Sequence, residues 1–519
     1  MNTASIKMSN KTAGKIGLFG AMSVIIGGII GIGIFFKNNN IFHNNNNNAT
    51  GILLSWIITV LIALATAYSY GEIVSAKDKN ANSGLGGWTN KFAGNMLGRF
   101  VKINQPYFYY AVYVFCASIF AAEAVANIFV AKPGNLGSIQ MWHIVLIGLA
   151  IAALFLVTNT FCSGLNRNFS KVTSPIKFIP LFVVILLGII FGLIYGKHNL
   201  FIQQSSYNGD PSGSLTINGI FMSMPAILFA LDSFLVVGNI AGDVKNPKRN
   251  VPLSIILSMV LSGTVYILIT IGQICTGCGN AYDVIRYVFG QGNNPGTISA
   301  GGHACLIIIS IFILIAIFGV INSLAMGCVS GSNAAVEENV VIGSKTLKRW
   351  GNGHKNLSGA IAGSIVVGSL YIIIGIPSMV LDNDQLVDGL SNIVVLFFFV
   401  IYGTVAIASA INRRTKRVTG LVQSKGQVWV AWFAGIGCIF IALYAMIYTN
   451  LYDPIVHPLK PNKSWGLFLN DKYTLNKMAS AFFFWILGII FIATPFINDL
   501  LIKKFNPKYN QPYIWERVK

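Results

Sequence analysis

Two acids and a lysine stand inside long apolar runs. Asp232 follows Phe229-Ala230-Leu231, Glu123 lies in the run 103–131, and Lys177 comes shortly after Pro175 at the start of another. In mid-membrane an ionisable side chain costs on the order of 2.5–3.5 kcal/mol on insertion scales, so such residues are binding or proton-carrying candidates by default. The run Ile26-Gly27-Gly28-Ile29-Ile30-Gly31-Ile32-Gly33-Ile34-Phe35-Phe36 adds a second feature, because each glycine weakens a helix by roughly 1 kcal/mol relative to alanine. Pro225 and Gly238 flank Asp232 in the same sense. A helix interrupted in lipid leaves backbone N–H and C=O groups without partners, which is tolerated where they line a cavity or hold a ligand. The freed N–H groups suit a carboxylate and the freed carbonyls an ammonium, so two broken helices together suit a zwitterion.

Each of these residues has a plainer reading. Gly27, Gly31 and their neighbours also permit close helix packing. Glu123 also reads as a neutral acid hydrogen-bonded to a neighbouring helix, with proton relay as the alternative. Lys177 reads as a side chain snorkelling to the interface, or as an ammonium standing in for a bound cation. Asn322 and Ser323 could face a site in the eighth run, or bond between helices.

The elements that position these residues are membrane spans. Of the 519 residues, 54% are hydrophobic and 10% charged, too little polar surface for a soluble chain of this size. Runs of about 20 apolar residues fall at 16–36, 51–73, 103–131, 141–161, 175–195 and 216–241, then at 251–275, 301–330, 358–380, 391–411, 428–449 and 478–502. The expected fold is therefore all-α and integral to the membrane, with about twelve transmembrane helices. The first run is too long for a secretory signal and reads as a retained span.

The formal charge of +20 is distributed by face. With an even number of spans, 27 of the 36 Lys and Arg residues fall on the side of the termini and eight on the other, Lys37 among the eight. Lys and Arg resist translocation, so both termini are expected in the cytoplasm. No soluble segment is long enough to carry a basic face for nucleic acid. The Asn-rich stretch 38–48 then falls in the first external loop and reads as a flexible connector with nothing to bury.

Cys275 and Cys278 form a lone C-x-x-C without a second ligand pair, and the six histidines are scattered, so no metal or other cofactor is expected. An integral-membrane enzyme would need a cluster of His, Asp or Glu at one face. No such cluster is legible, and the chain does not read as an enzyme. The abundance of Asn and of Lys over Arg points to AT-rich codons and a low-GC bacterium.

Two segments carry a resemblance. Phe229-Ala230-Leu231-Asp232 running to Gly242-Asp243-Val244-Lys245-Asn246-Pro247-Lys248-Arg249-Asn250-Val251-Pro252, with Gly31-Ile32-Gly33-Ile34-Phe35, is similar to the sixth and first spans of the amino acid, polyamine and organocation superfamily of permeases. The resemblance implies a leucine-transporter-like core of two inverted repeats of five spans (16–195 and 216–411). Two further helices (428–502) and cytoplasmic tails (1–15 and 503–519) complete it. It also implies alternating access in the plasma membrane. On that match Ile29, Gly31, Ile32 and Gly33 would meet a substrate carboxylate, Phe229, Ala230 and Leu231 the amine, and Asp232 would brace the broken sixth span. Ile32 departs from the family's serine between the two glycines, which removes a hydroxyl contact. Ser174-Pro175-Ile176-Lys177 resembles the fifth span of sodium-independent members, which favours protons or exchange over sodium. The implied partner is a small amino acid. A polyamine or other organic cation, and a nutrient receptor without transport, stay open. Asn246-Pro247 should end one helix and Pro252 start the next.

Overall fold

The computed structural model describes residues 16–76, 84–129, 139–195, 213–236, 244–289, 300–354, 356–421, 425–467, 474–506, 509 and 512–516. Among them the chain is helical with isolated β-bridges only. It opens with three short helices, α1 (Leu18–Ile29), α2 (Ile32–Phe36) and α3 (Asn38–Asn44), followed by α4 (Ala49–Ile73) and α5 (Leu85–Ala93). Next come α6 (Asn95–Phe129), α7 (Met141–Phe161), α8 (Ser163–Ile176), α9 (Phe178–Tyr195) and α10 (Ile217–Leu231). The second half holds α11 (Pro247–Thr276), α12 (Ala281–Phe289), α13 (Ala300–Glu337), α14 (Ser344–Gly351) and α15 (Leu357–Leu381). The last long helices are α16 (Gln385–Thr415), α17 (Gln427–Val456) and α18 (Lys477–Phe505).

Ten helices are long and apolar enough to cross a membrane, α8 and α9 forming one of these crossings. The expected first and sixth spans are the two exceptions: α1 and α10 are apolar but only 12 and 15 residues long. The first stops where the sequence carries its glycines, and the second stops at Asp232. After Ile29 the backbone of Ile30 turns extended and Gly31 adopts φ −172°, ψ −133° before α2 begins. After Leu231, Asp232 is extended and Ser233 takes the left-handed φ of +70°. Pro225 sits inside α10 without ending it, and Gly238 lies outside the described residues.

Side-chain distribution is that of a bundle in lipid. Leu61, Leu154, Ile190, Ile372 and Ile486 are exposed on outer faces, whereas Ser55, Thr59, Glu72, Asn127, Thr270 and Ser310 are buried inside. This inversion follows from the solvent: outward apolar groups meet acyl chains, and polar groups are satisfied between helices.

The Asn-rich stretch is not a loose connector. Asn38, Asn40, Asn45, Asn47 and Asn48 are all buried, and 38–44 is helical. The amides are interhelical links. Asn38 donates to Thr270 and Gln273 of α11 and accepts from the Trp56 indole at 3.0 Å. Asn45 donates to Ser223 at 2.9 Å, and Asn48 caps α4 by accepting from Gly51 N at 2.9 Å. Asn46 and Asn47 make the turn with φ of 50° and 57°, a region asparagine tolerates. The composition that looks like a solvated linker is here a set of compact donors and acceptors inside the bundle.

One smaller expectation also changes. Helix α11 starts at Pro247 itself, where a missing N–H costs nothing, so Pro252 is inside the helix. The segment after α18 folds back: Ile514 is fully buried, its N–H donates to Asp499 at 2.8 Å, and Asn95 of α6 donates to the carbonyls of Tyr513 and Glu516. Arg99 holds the same Asp499 by two bonds of 2.5 and 2.7 Å.

Candidate functional site

The two breaks meet. A Cβ built on Gly33 would stand 2.5 Å from both Cα and Cβ of Ala230, so α2 and the end of α10 are in backbone contact. Gly31 is pressed against Val320 of α13 (2.4 Å from Cγ2), and Gly28 against Ser233 (3.1 Å). Close approach is thus what these glycines permit, and an interrupted helix is also what they form.

Among the described residues no backbone or side-chain acceptor engages the N–H of Gly31, Ile32 or Gly33, which open helix α2. Likewise no donor reaches the carbonyls of Ala230 and Leu231 at the end of α10. The Phe229 carbonyl is already taken, weakly, by Asp232 N at 3.4 Å. The Ile29 carbonyl accepts from the Tyr266 hydroxyl of α11 at 3.0 Å. Among the described residues these N–H groups and carbonyls are without partners, and the contact of Gly33 with Ala230 brings the two segments together within a buried junction.

Lys177 does not snorkel. Its side chain is fully buried at the joint between α8 and α9, and its ammonium donates to the carbonyls of Gly27 at 2.6 Å and Ile30 at 2.8 Å. These are carbonyls that the break in α1 releases, and among the described residues no carboxylate is a hydrogen-bond partner of the lysine. Ser174, one turn earlier on α8, donates to Ser23 O at 2.7 Å, and Gly319 leaves room for the lysine stem (Cβ to Cε 2.8 Å).

Asp232 is buried and holds the turn that follows it. One carboxylate oxygen accepts from Ser233 N at 2.7 Å and the other from the Tyr113 hydroxyl at 3.0 Å. Tyr113 reaches this point from α6, whose residues Gln105–Tyr110, with Pro106, form a π-helical turn. Such bulges re-aim the side chains that follow them. Tyr113 packs edge-on to Phe229 (5.5 Å between ring centroids), and Tyr109, Phe398, Tyr402, Phe234 and Tyr70 continue an aromatic wall around the break.

Two sequence candidates make no hydrogen bond to the residues of the two breaks among the described residues. Asn322 spends its amide between helices, donating to Asn166 O at 3.0 Å and Ser170 Oγ at 2.8 Å and accepting from Asn159 at 3.1 Å. The site is drawn without it. Glu123 is buried further along α6, and its Oε2 takes no hydrogen bond among the described residues.

Sequence reasoning does not single out Tyr113, Tyr266, Lys37 or Asp388. Lys37, counted above as an external loop charge, is fully buried directly after α2. It donates to Asp388, to Ser391 Oγ at 2.9 Å and to Asn392 Oδ1 at 2.8 Å, and lies 4.3 Å over the Phe229 ring. The available signal was Asp384 and Asp388 at helical i,i+4 spacing, hidden by starting the tenth span at 391 when α16 begins at Gln385.

A polytopic helical bundle in which the break after α1 meets the end of a second short apolar helix, with backbone groups there unpaired among the described residues, is the architecture of a membrane transporter. The model of the amino acid permease family matches residues 16–470, and the chain belongs to that family; it is a multi-pass membrane protein of amino acid transport. It is 23% identical over 392 residues to the serine/threonine exchanger SteT of Bacillus subtilis, covering 75% of this chain and 81% of that one. It is 28% identical over 271 residues to the cadaverine/lysine antiporter of Escherichia coli (51% and 54%), and 22% identical over 497 residues to an uncharacterized protein of Mycoplasma pneumoniae (85% of each).

Proposed function

We propose that the chain is a secondary transporter of small amino acids in the plasma membrane. In this reading it has twelve spans, with α1–α2 and α10 as the broken first and sixth and both termini in the cytoplasm. The observation that carries it is the contact of Gly33 with Ala230, which joins the N–H groups of Gly31, Ile32 and Gly33 to the segment bearing the Ala230 and Leu231 carbonyls, all without partners among the described residues. The N–H groups and the positive end of α2 take the substrate carboxylate, and the carbonyls at the negative end of α10 take its ammonium. Ile32 offers no hydroxyl, so the carboxylate is held by backbone alone. Phe229 and Tyr113 wall the apolar side.

Transport follows from alternating access, with one group of helices rocking against the other around these hinges. Coupling runs through Lys177, whose ammonium ties down the carbonyls of Gly27 and Ile30 as a bound cation would. Loss of its proton removes the positive charge and weakens both bonds, which links the break in α1 to protons, while the side chain leaves sodium no place. Glu123 is the second proton candidate, its Oε2 buried and without a bond among the described residues. Similarity to the serine/threonine exchanger SteT supports exchange of an amino acid of that size; similarity to the cadaverine/lysine antiporter keeps an organic cation as the alternative substrate.

Purified protein in liposomes tests the reading. Saturable uptake of an amino acid, driven by a proton gradient or by internal amino acid and indifferent to sodium, is expected. Saturable binding with no flux under either condition would replace it with a receptor.

A further inference from the structure

The connection between α13 and α15 folds back onto the end of α18. Asn498 of α18 accepts from Ile342 N and donates to Val340 O, both at 2.9 Å, and Lys345 of α14 donates to Asn506 Oδ1 at 3.3 Å. Beside these ties lies a cavity of about 290 Å³, walled by Ile342, Lys345 and Thr346 on one side and by Ile502, Phe505 and Asn506 on the other. Small-molecule clefts begin at roughly 300 Å³, so the space suits a compact polar group.

The charge around the cavity has one sign. No Asp or Glu is among its described lining residues. The nearest acids in the chain are engaged elsewhere: Glu337 faces Lys348 at 3.6 Å, Glu338 binds Lys102 at 2.8 Å, and Asp499 is held by Arg99 at 2.5 Å. Among the described residues Lys345, Arg349, Lys503 and Lys504 enter no ion pair, and all four are exposed. An anion is the ligand this surplus attracts.

The surroundings decide which anion. Exposed apolar residues line α18 from Phe482 through Ile489 and Ile497 to Phe505, and Phe505 itself walls the cavity. Trp350, which follows Arg349, and Trp515, whose ring centroid is 6.0 Å from the Lys503 ammonium, are exposed nearby. Tryptophan gathers at the boundary between acyl chains and water. The cavity therefore sits where the lipid-facing surface of α18 ends, at headgroup level. A soluble anion would need the lysines alone, whereas a lipid uses the apolar surface that leads to them.

We infer that this cavity binds the headgroup of an anionic phospholipid. Lys345 meets the phosphate, Lys504, 5.6 Å from the Phe505 ring centroid, stands at the mouth, and the acyl chains lie back along α18. The lipid so bound bridges α14 to α18. Only the choice of leaflet rests on the proposed orientation, in which this face is cytoplasmic.

The full chain in a neutral maltoside detergent is titrated with dioctanoyl phosphatidylglycerol, dioctanoyl phosphatidylcholine and glycerol phosphate, and bound ligand is counted by native mass spectrometry. Each basic side chain near a membrane surface is worth about a fivefold preference for anionic lipid. Lys345→Ala should therefore weaken phosphatidylglycerol about fivefold and Lys345→Ala/Lys504→Ala about 25-fold. Arg417→Ala, at an exposed basic residue after α16, should leave its affinity unchanged. Thr346→Trp fills the cavity without altering charge and should weaken phosphatidylglycerol at least about fivefold, as losing the Lys345 contact does. Equal affinity for the two lipids overturns the inference, as does an equal loss in Arg417→Ala and the lysine variants. Unchanged affinity in Thr346→Trp overturns it by leaving the lipid on surface charge outside the cavity. Glycerol phosphate binding as tightly as phosphatidylglycerol overturns it in favour of a soluble phosphate ester. No amino acid enters the assay and a micelle has no sides, so the result is distinct from any failure of the transport reading.

Discussion

The contact between Gly33 and Ala230 makes a quantitative prediction. A Cβ at Gly33 would lie 2.5 Å from Ala230 Cα and Cβ and 3.2 Å from its N. Carbon atoms pack at about 3.5–4.0 Å, so Gly33→Ala is short of space by about 1 Å or more, and the obstacle is backbone. Overpacking of this kind costs about 1–3 kcal/mol, partly offset by the better helix propensity of alanine. The functional loss should be larger, because a displacement of about 1 Å within a binding constellation lowers turnover on the order of 100-fold. Gly31→Ala differs in kind: its obstacle is a methyl of Val320, 2.4 Å away, which can be removed. Initial-rate uptake per inserted protein should therefore fall in both single variants. Val320→Ala should rescue Gly31→Ala, whereas Ala230→Gly should not rescue Gly33→Ala, since Ala230 Cα remains. Gly368→Ala, with open space around its Cβ, is the control for adding a methyl to a membrane helix. Wild-type uptake by Gly33→Ala, or its rescue by Ala230→Gly, would refute the argument that backbone contact at the two breaks builds the site.

Other outcomes follow from the same geometry. Tyr113→Phe removes one bond to Asp232 and should lower uptake about tenfold, a charge-assisted bond's share, with little change in insertion; Asp232→Asn should abolish uptake while the protein still inserts. Lys177→Met keeps the stem and frees the Gly27 and Ile30 carbonyls, so residual uptake should no longer respond to an imposed proton gradient. Asn322→Ala should lower the detergent melting temperature, by about 1–3 kcal/mol of lost interhelical bonding, and leave KM unchanged, because its amide is spent between α7, α8 and α13.

Which parts of this were legible in the chain is a matter of what kind of signal each residue sends. Glycines at 27, 28, 31 and 33 weaken a helix wherever they occur, and an acid at 232 is costly in lipid on any fold, so both breaks can be anticipated from local chemistry. The burial of Lys37 and of the asparagines after it could not, because their partners are hundreds of positions away: Asp388 for Lys37, Thr270 and Gln273 for Asn38. Composition alone assigns polar, low-complexity sequence to solvent, and only tertiary contact reverses that. Lys177 lies between these cases. Near a span end its position favours snorkelling, and what holds it inside is the pair of carbonyls released by a break some 150 residues earlier in the chain.

The central claim is that unpaired N–H groups at α2 and unpaired carbonyls at α10 together hold a zwitterion. Competition in proteoliposomes tests it most directly: uptake of the best radiolabelled amino acid is challenged with the same compound lacking its carboxylate and with the same compound lacking its amine. Effective competition by the parent amino acid and by neither truncated form is the result predicted. Equal competition by the decarboxylated amine would contradict the account and make an organic cation the substrate.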